Sequence, residues 1–125
     1  MNLLECKIIK SEYKINKSTS GYVYLICDPE NNAFKIGVTR SKINRRLKKL
    51  QTGNPTKLHI VAIYNTNYPF RLESMLHNLY KQNCILNEWF KIDSISKWIN
   101  DCKTQEKIIY DLLDNPFFSY GLKWY

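Results

Sequence analysis

Four polar residues stand out because each could work on a phosphodiester and each sits in its own stretch. They are Tyr24 in "YVYLI", Lys35 in "KIG", Arg46 in "RRLKKL" and Glu73 in "LESMLH". Hydrolysing a phosphodiester requires a deprotonated water in line with the departing oxygen, positive charge on the phosphoryl oxygens and help for the leaving group. A guanidinium grips phosphate oxygens bidentately. A carboxylate can hold Mg²⁺, which takes few protein ligands and keeps several waters. A phenol titrates at about 10 when unperturbed, and cations such as Lys35 and Arg46 favour its phenolate. Glu73 is solitary, the first acid after Glu30 and the last before Glu88. A two-metal site needs several converging carboxylates, so the pattern points to one ion.

The charge distribution singles out the same region. The chain has 125 residues and a formal net charge of +8. Residues 31–72 carry nine cations and no Asp or Glu, while the flanking segments are close to neutral. An AT-rich genome would inflate lysine evenly and would not strip acids from one window. A focused basic surface suited to a polyanion follows.

The elements that must position these groups can be read from periodicity. In residues 21–40, Val23, Leu25 and Cys27 alternate on one strand and Phe34, Ile36 and Val38 on the next, around the turn residues of "DPENN". These six share a core face, because slipping one strand by a residue would send its set into water. The opposite face then holds Tyr22, Tyr24, Ile26, Lys35, Gly37 and Thr39. Tyr24 and Lys35 are expected as same-face cross-strand neighbours, with Gly37 leaving open space beside the ring.

Ser41 is a suitable N-cap for a helix over about 42–51, with Ile43, Leu47 and Leu50 as its apolar stripe and Gly53 and Pro55 as its stop. On that helix Arg46 borders the stripe, whereas Arg45 points outward with Lys42 and Lys49. "KLHIVAIYNT" reads as a strand. Pro69 opens a second helix near 68–83, with Glu73, His77 and Tyr80 along its flank. "EWFKI" reads as a short strand, with Trp89 and Phe90 in the core. Asp93 or Ser94 caps a third helix over about 95–113.

The fold class is therefore α+β, a small antiparallel or mixed sheet of three to four strands flanked by three helices in the order β-β-α-β-α-β-α. Residues 1–19 read as a lead-in segment in which "KIIKSEYKI" could form an edge strand, 20–93 as the site-bearing domain, and 94–125 as a helix and aromatic tail packed on it. Cys6, Cys27, Cys84 and Cys102 lack ligand spacing, so structural thiols are expected rather than a metal site or a disulfide framework. No apolar run reaches the roughly 20 residues that span a bilayer, and "MNLLECKIIK" makes a poor signal peptide. A cytoplasmic protein with no membrane partner is the expectation.

With these motifs in order, the chain resembles the GIY-YIG nuclease superfamily, in particular its phage and large-DNA-virus branch often described only as DNA-binding. "YVYLI" resembles the first motif, with Tyr24 at its tyrosine and Tyr22 in place of its first glycine. "KIG" resembles the second, with Lys35 where many members have tyrosine. "NRRLKKLQTGNP" resembles the arginine-bearing helix, "LESMLH" the helix with the metal-binding glutamate and a frequent histidine, and "NEWFKI" the branch's "GEWF" segment, with Asn87 replacing glycine.

The resemblance covers about residues 20–93 and implies a tyrosine base at Tyr24, an arginine phosphate stabiliser at Arg46 and one divalent ion, Mg²⁺ or Mn²⁺, on Glu73. Lys35 and His77 complete the catalytic set. Gly37, Thr39, Arg40, Lys42, Arg45, Lys48, Lys49 and Lys57 are the expected nucleic-acid contacts. The activity implied is DNA endonuclease; the alternative is a DNA-binding module that keeps the fold without the reaction. No sequence-reading module such as a zinc finger is visible, so specific recognition would come from a homo-oligomer or a partner.

Overall fold

The computed structural model describes residues 5–114. Its centre is a mixed six-stranded sheet, two strands wider than the broadest expectation. The strands are β1 (Lys7–Lys10), β2 (Gly21–Asp28), β3 (Ala33–Thr39), β4 (His59–Thr66), β5 (Cys84–Leu86) and β6 (Trp89–Phe90). Their order across the sheet is β1-β4-β2-β3-β6-β5, with β1 parallel to β4 and the other pairs antiparallel. Three helices complete the fold: α1 (Ile43–Thr52), α2 (Pro69–Leu79) and α3 (Ile95–Leu113).

The β2–β3 hairpin has the expected faces except at Val38, which is half-buried, lies outside the core and lines a surface hollow, and both faces are covered. Val23, Leu25, Cys27, Phe34 and Ile36 pack with Tyr64 under Leu72 and Leu76 of α2 and Trp98, Cys102 and Ile109 of α3. On the other side Tyr24, Ile26 and Leu58 pack under Ile43, Leu47 and Leu50 of α1. A central strand buried on both faces reads as a near-continuous apolar run, which is why β2 is "YVYLIC" and not an alternation. Tyr24 pairs directly with Gly37, and Lys35 pairs with Ile26, so the tyrosine and lysine are diagonal rather than directly opposed.

Two local expectations change. Ser41 does not cap α1. Its Oγ pairs with Thr39 Oγ1 at 2.9 Å, and Lys42 occupies the N-cap position without a side-chain cap. Gly53 ends the helix with φ −96°, so no left-handed conformation is required there. Ser94 does cap α3, accepting from the Lys97 N–H. Asn87, in the turn between β5 and β6, has φ 54°, a left-handed conformation that asparagine tolerates better than most residues.

Residues 7–20 are more than a lead-in. Besides β1, they contribute Ser11, whose Oγ donates to Glu106 Oε1 at 2.8 Å. Tyr64 and Thr66 donate to the same carboxylate at 2.8 and 2.6 Å, and Glu106 is 1% exposed. Tyr13 stacks on Tyr110 at 3.6 Å, so this early segment is clamped to α3. The expected aromatic tail beyond Asp114 lies outside the described residues.

Candidate functional site

The site begins at Gly37. A Cβ built there would lie 2.3 Å from Cζ and Oη of Tyr24, so the phenol ring lies flat across the glycine and fills the space expected to be open. No nucleic acid reaches Gly37 from that face. Tyr24 is itself fully buried. α1 crosses above it, and Arg46 turns inward from the edge of the helix's apolar stripe to donate from Nε to Tyr24 Oη at 3.2 Å. That bond leaves both Nη groups of the guanidinium for other acceptors.

The edge of the sheet supplies the third component. β6 is only two residues long and pairs with β3 solely at Phe34 and Lys35. Glu88 just before it accepts from the Ile36 N–H at 3.2 Å, but the Ile36 carbonyl has no strand beside it. His77 of α2 donates from Nε2 to that carbonyl at 2.8 Å, with its ring edge-on to Phe90. Glu73 stands one turn earlier on the same flank of α2. Residues of a helix on the far layer thus reach the rim of the sheet beside Gly37.

Lys35 is tied to Glu88 by an ion pair. Its side chain is 8% exposed against 45% for Glu88, so the glutamate meets solvent and the lysine does not. Glu88 is the residue that the sequence reading missed, and it corrects the picture of Glu73 as the only nearby carboxylate. A signal existed: a lysine alternating inward with Tyr24 requires an acid. The acid beside Lys35's cross-strand partner Trp89 is Glu88.

The electrostatics join these groups into one cluster. Burial raises the Tyr24 phenol, and the Arg46 hydrogen bond and charge only partly oppose it. This overturns the expectation that neighbouring cations leave it readily ionised. Arg46 is held cationic first by its bond to Tyr24 and also by Glu88 and Glu73. Burial raises the Glu73 carboxyl, the His77, Lys35 and Arg46 charges pull it down, and Glu88 adds to the rise. For Glu88 burial pushes upward, but the Lys35 bond and charge win and hold it below the usual carboxylate range.

Around this cluster the expected nucleic-acid contacts divide. A hollow of about 330 Å³ is lined by Thr39, Ser41, Arg45, Arg46, Lys49 and Phe70 among others. Lys42, Arg45, Lys48 and Lys49 are exposed and form no ion pair among the described residues. Arg40 is instead a clamp, donating from Nε to the Ser20 carbonyl at 3.3 Å and from Nη2 to that of Ser18. Lys57 lies beyond the C-terminal end of α1, beside the loop that Gln51 holds through the Leu58 N–H, and lines neither this hollow nor the groove near the helix's start. The four cysteines are free thiols, and among the described residues no three His, Cys, Asp or Glu side chains group as a metal cage.

A mixed-sheet α+β domain with one cation-lined face defines the class; comparison with known proteins supplies the family. The T5orf172 domain model matches residues 21–109, and the chain belongs to that family. The T5orf172 domain is associated with nuclease-type domains of phage proteins. No curated protein and no solved structure matches the chain at a significant level. Among the described residues no helix is long and apolar enough to cross a membrane.

Proposed function

We propose that this chain is a divalent-metal-dependent DNA endonuclease of the GIY-YIG type. One observation carries the reading: a guanidinium that lines a cation-rich hollow is hydrogen-bonded to the buried phenol beneath it, within electrostatic reach of Glu73, Glu88 and Lys35. With Nε on Tyr24, Arg46 offers two Nη groups to phosphate oxygens in the hollow. Arg45 and Lys49 beside it neutralise the flanking backbone. Tyr24, once ionised, is the base that takes a proton from the attacking water. His77 fixes the Ile36 edge, and the Lys35–Glu88 pair screens the carboxylate side, so both position the reacting groups.

Glu73 is suited to the metal. It is half-buried, forms no hydrogen bond or ion pair among the described residues, and its carboxyl is raised by burial, which a bound cation would relieve. Glu73 would hold Mg²⁺ or Mn²⁺, and the bound ion would supply Lewis-acid stabilisation of the phosphoryl charge.

A second reading, a DNA-binding module without turnover, is favoured by the full burial of Tyr24 and the commitment of Lys35 to Glu88. Nicking of supercoiled plasmid with Mg²⁺ or Mn²⁺ separates the two. The endonuclease reading expects nicking that Glu73→Ala abolishes while DNA binding persists. A Glu73→Ala protein that cleaves like wild type overturns it, and a well-folded wild type that only binds leaves the second reading.

A further inference from the structure

The hollow at Arg46 is not the only concavity on this face. On the other side of Arg45, between the first turns of α1 and the strands β1, β2 and β4, runs a groove of about 580 Å³. Its floor is Ile8, Tyr22, Ile43 and Ile63, and Lys42, Arg45 and Lys48 rise around it. Ile9 turns into the main core, so its neighbour Ile8 must face the α1 side, where the short helix fails to cover it and leaves it 70% exposed. Tyr22, one alternation before Tyr24, is half-buried and presents its ring to the same space.

An apolar floor with an aromatic ring, rimmed by cations that form no ion pair among the described residues, matches a flat apolar group that carries negative charge on both sides. An unpaired nucleobase between two phosphates has that character. A paired base does not, because its faces are covered by its neighbours in the stack. The volume is in the range of small-molecule sites. Arg45 lines both this groove and the hollow at Arg46, so a strand laid across α1 passes from one to the other without leaving the cations.

We infer that this groove receives an unpaired base and that the preferred nucleic acid is DNA containing single-stranded nucleotides next to the contacted phosphates. The inference rests on the DNA-directed reading above and names its substrate class. Tyr22 supplies the stacking surface, Ile8, Ile43 and Ile63 the apolar cradle, and Lys42, Arg45 and Lys48 the phosphate contacts on either side.

The test is metal-free binding of the full chain to a short single strand carrying a fluorescent adenine analogue, beside a blunt duplex of the same sequence. Wild type is expected to bind the single strand more tightly and to quench the analogue. Tyr22→Ala and the uncharged Ile8→Asn should each weaken single-strand binding by about 5- to 100-fold and lose the quench, while duplex binding changes by less than about twofold. Ile8 is exposed on an edge strand, so Ile8→Asn still decides the matter if Tyr22→Ala does not fold.

Equal losses on both DNA forms, or none, overturn the inference. So does a change from dimer to monomer in sedimentation with single-strand binding intact, which would make a second copy the groove's occupant. Because binding is read without metal, failure here is separate from failure of plasmid nicking, which bears on the nuclease reading alone.

Discussion

Replacing Gly37 with alanine tests the heart of the site through a single methyl group. The added Cβ would lie 2.3 Å from Cζ and Oη of Tyr24 and 2.5 Å from Cε1, where ordinary contact begins at 3.4 Å, so the ring must retreat by about 1 Å. Tyr24 is fully buried, and the way off the sheet leads toward α1, into Arg46 and the packed face that Leu47 belongs to. Overpacking of this kind costs about 1–3 kcal/mol. Displacing a reacting group by about 1 Å lowers a rate on the order of 100-fold.

Urea denaturation should therefore show a loss in that range, and single-turnover nicking with Mg²⁺ should fall about 100-fold in protein that is still folded. Combining Gly37→Ala with Tyr24→Ala should remove most of the alanine's extra penalty, since the clash partner is gone. Wild-type stability and rate in Gly37→Ala would refute the placement of the ring and its part in the reaction.

Three further outcomes follow from the same geometry. Because burial holds the Tyr24 phenol above its ordinary value, the phenolate fraction rises about tenfold per pH unit through neutrality, and the nicking rate should climb with it. Tyr24→Phe should abolish that dependence, and a flat wild-type profile would remove the phenol from the reaction. Glu88→Gln should cost about 1–2 kcal/mol at neutral pH, kept small by the exposure of Glu88, because it deprives the covered Lys35 ammonium of its carboxylate. Since Glu88 is held below the usual carboxylate range, its contribution is present at neutral pH and is lost as pH falls through that lowered value; denaturation midpoints of wild type and variant should converge in acid. Glu106→Ala should cost about 3–4 kcal/mol by denaturant titration, because it leaves the Tyr64 and Thr66 hydroxyls without their acceptor and releases Ser11.

What could be read from the chain was whatever local pattern dictates. The requirement that Val23, Leu25 and Cys27 share a face with Phe34 and Ile36 settles the hairpin's faces, and the 3.6-residue period of Ile43, Leu47 and Leu50 turns Arg46 inward and Arg45 out. What escaped was long-range. β1 lies in a stretch open to reading as an edge strand or a lead-in, but it is only "KIIK" and its parallel partner begins about fifty residues later, so nothing local fixes that pairing. β5 is three exposed residues held only by β6.

Glu106 did leave a trace. It stands at helical spacing between Cys102 and Ile109 on the apolar stripe of α3, where an acid is tolerated only with buried donors waiting for it. Arg40 left none, because the carbonyls it holds belong to a turn twenty residues earlier. Charge counting located the basic face, but it could not separate the cations that remain open from one already spent on the protein's own backbone.

The shortness of β6 governs what this architecture can assemble. An uninterrupted β-sheet is a wall, and side chains from the layers it divides never meet. Here the wall has a doorway beside Gly37, with His77 standing in as its jamb. Extending β6 by two paired residues would close that opening, leaving a sheet better satisfied in its hydrogen bonds while walling off Glu73 from Arg46. Insertions or substitutions that regularise this edge should therefore yield a sturdier protein that lacks the nicking proposed above.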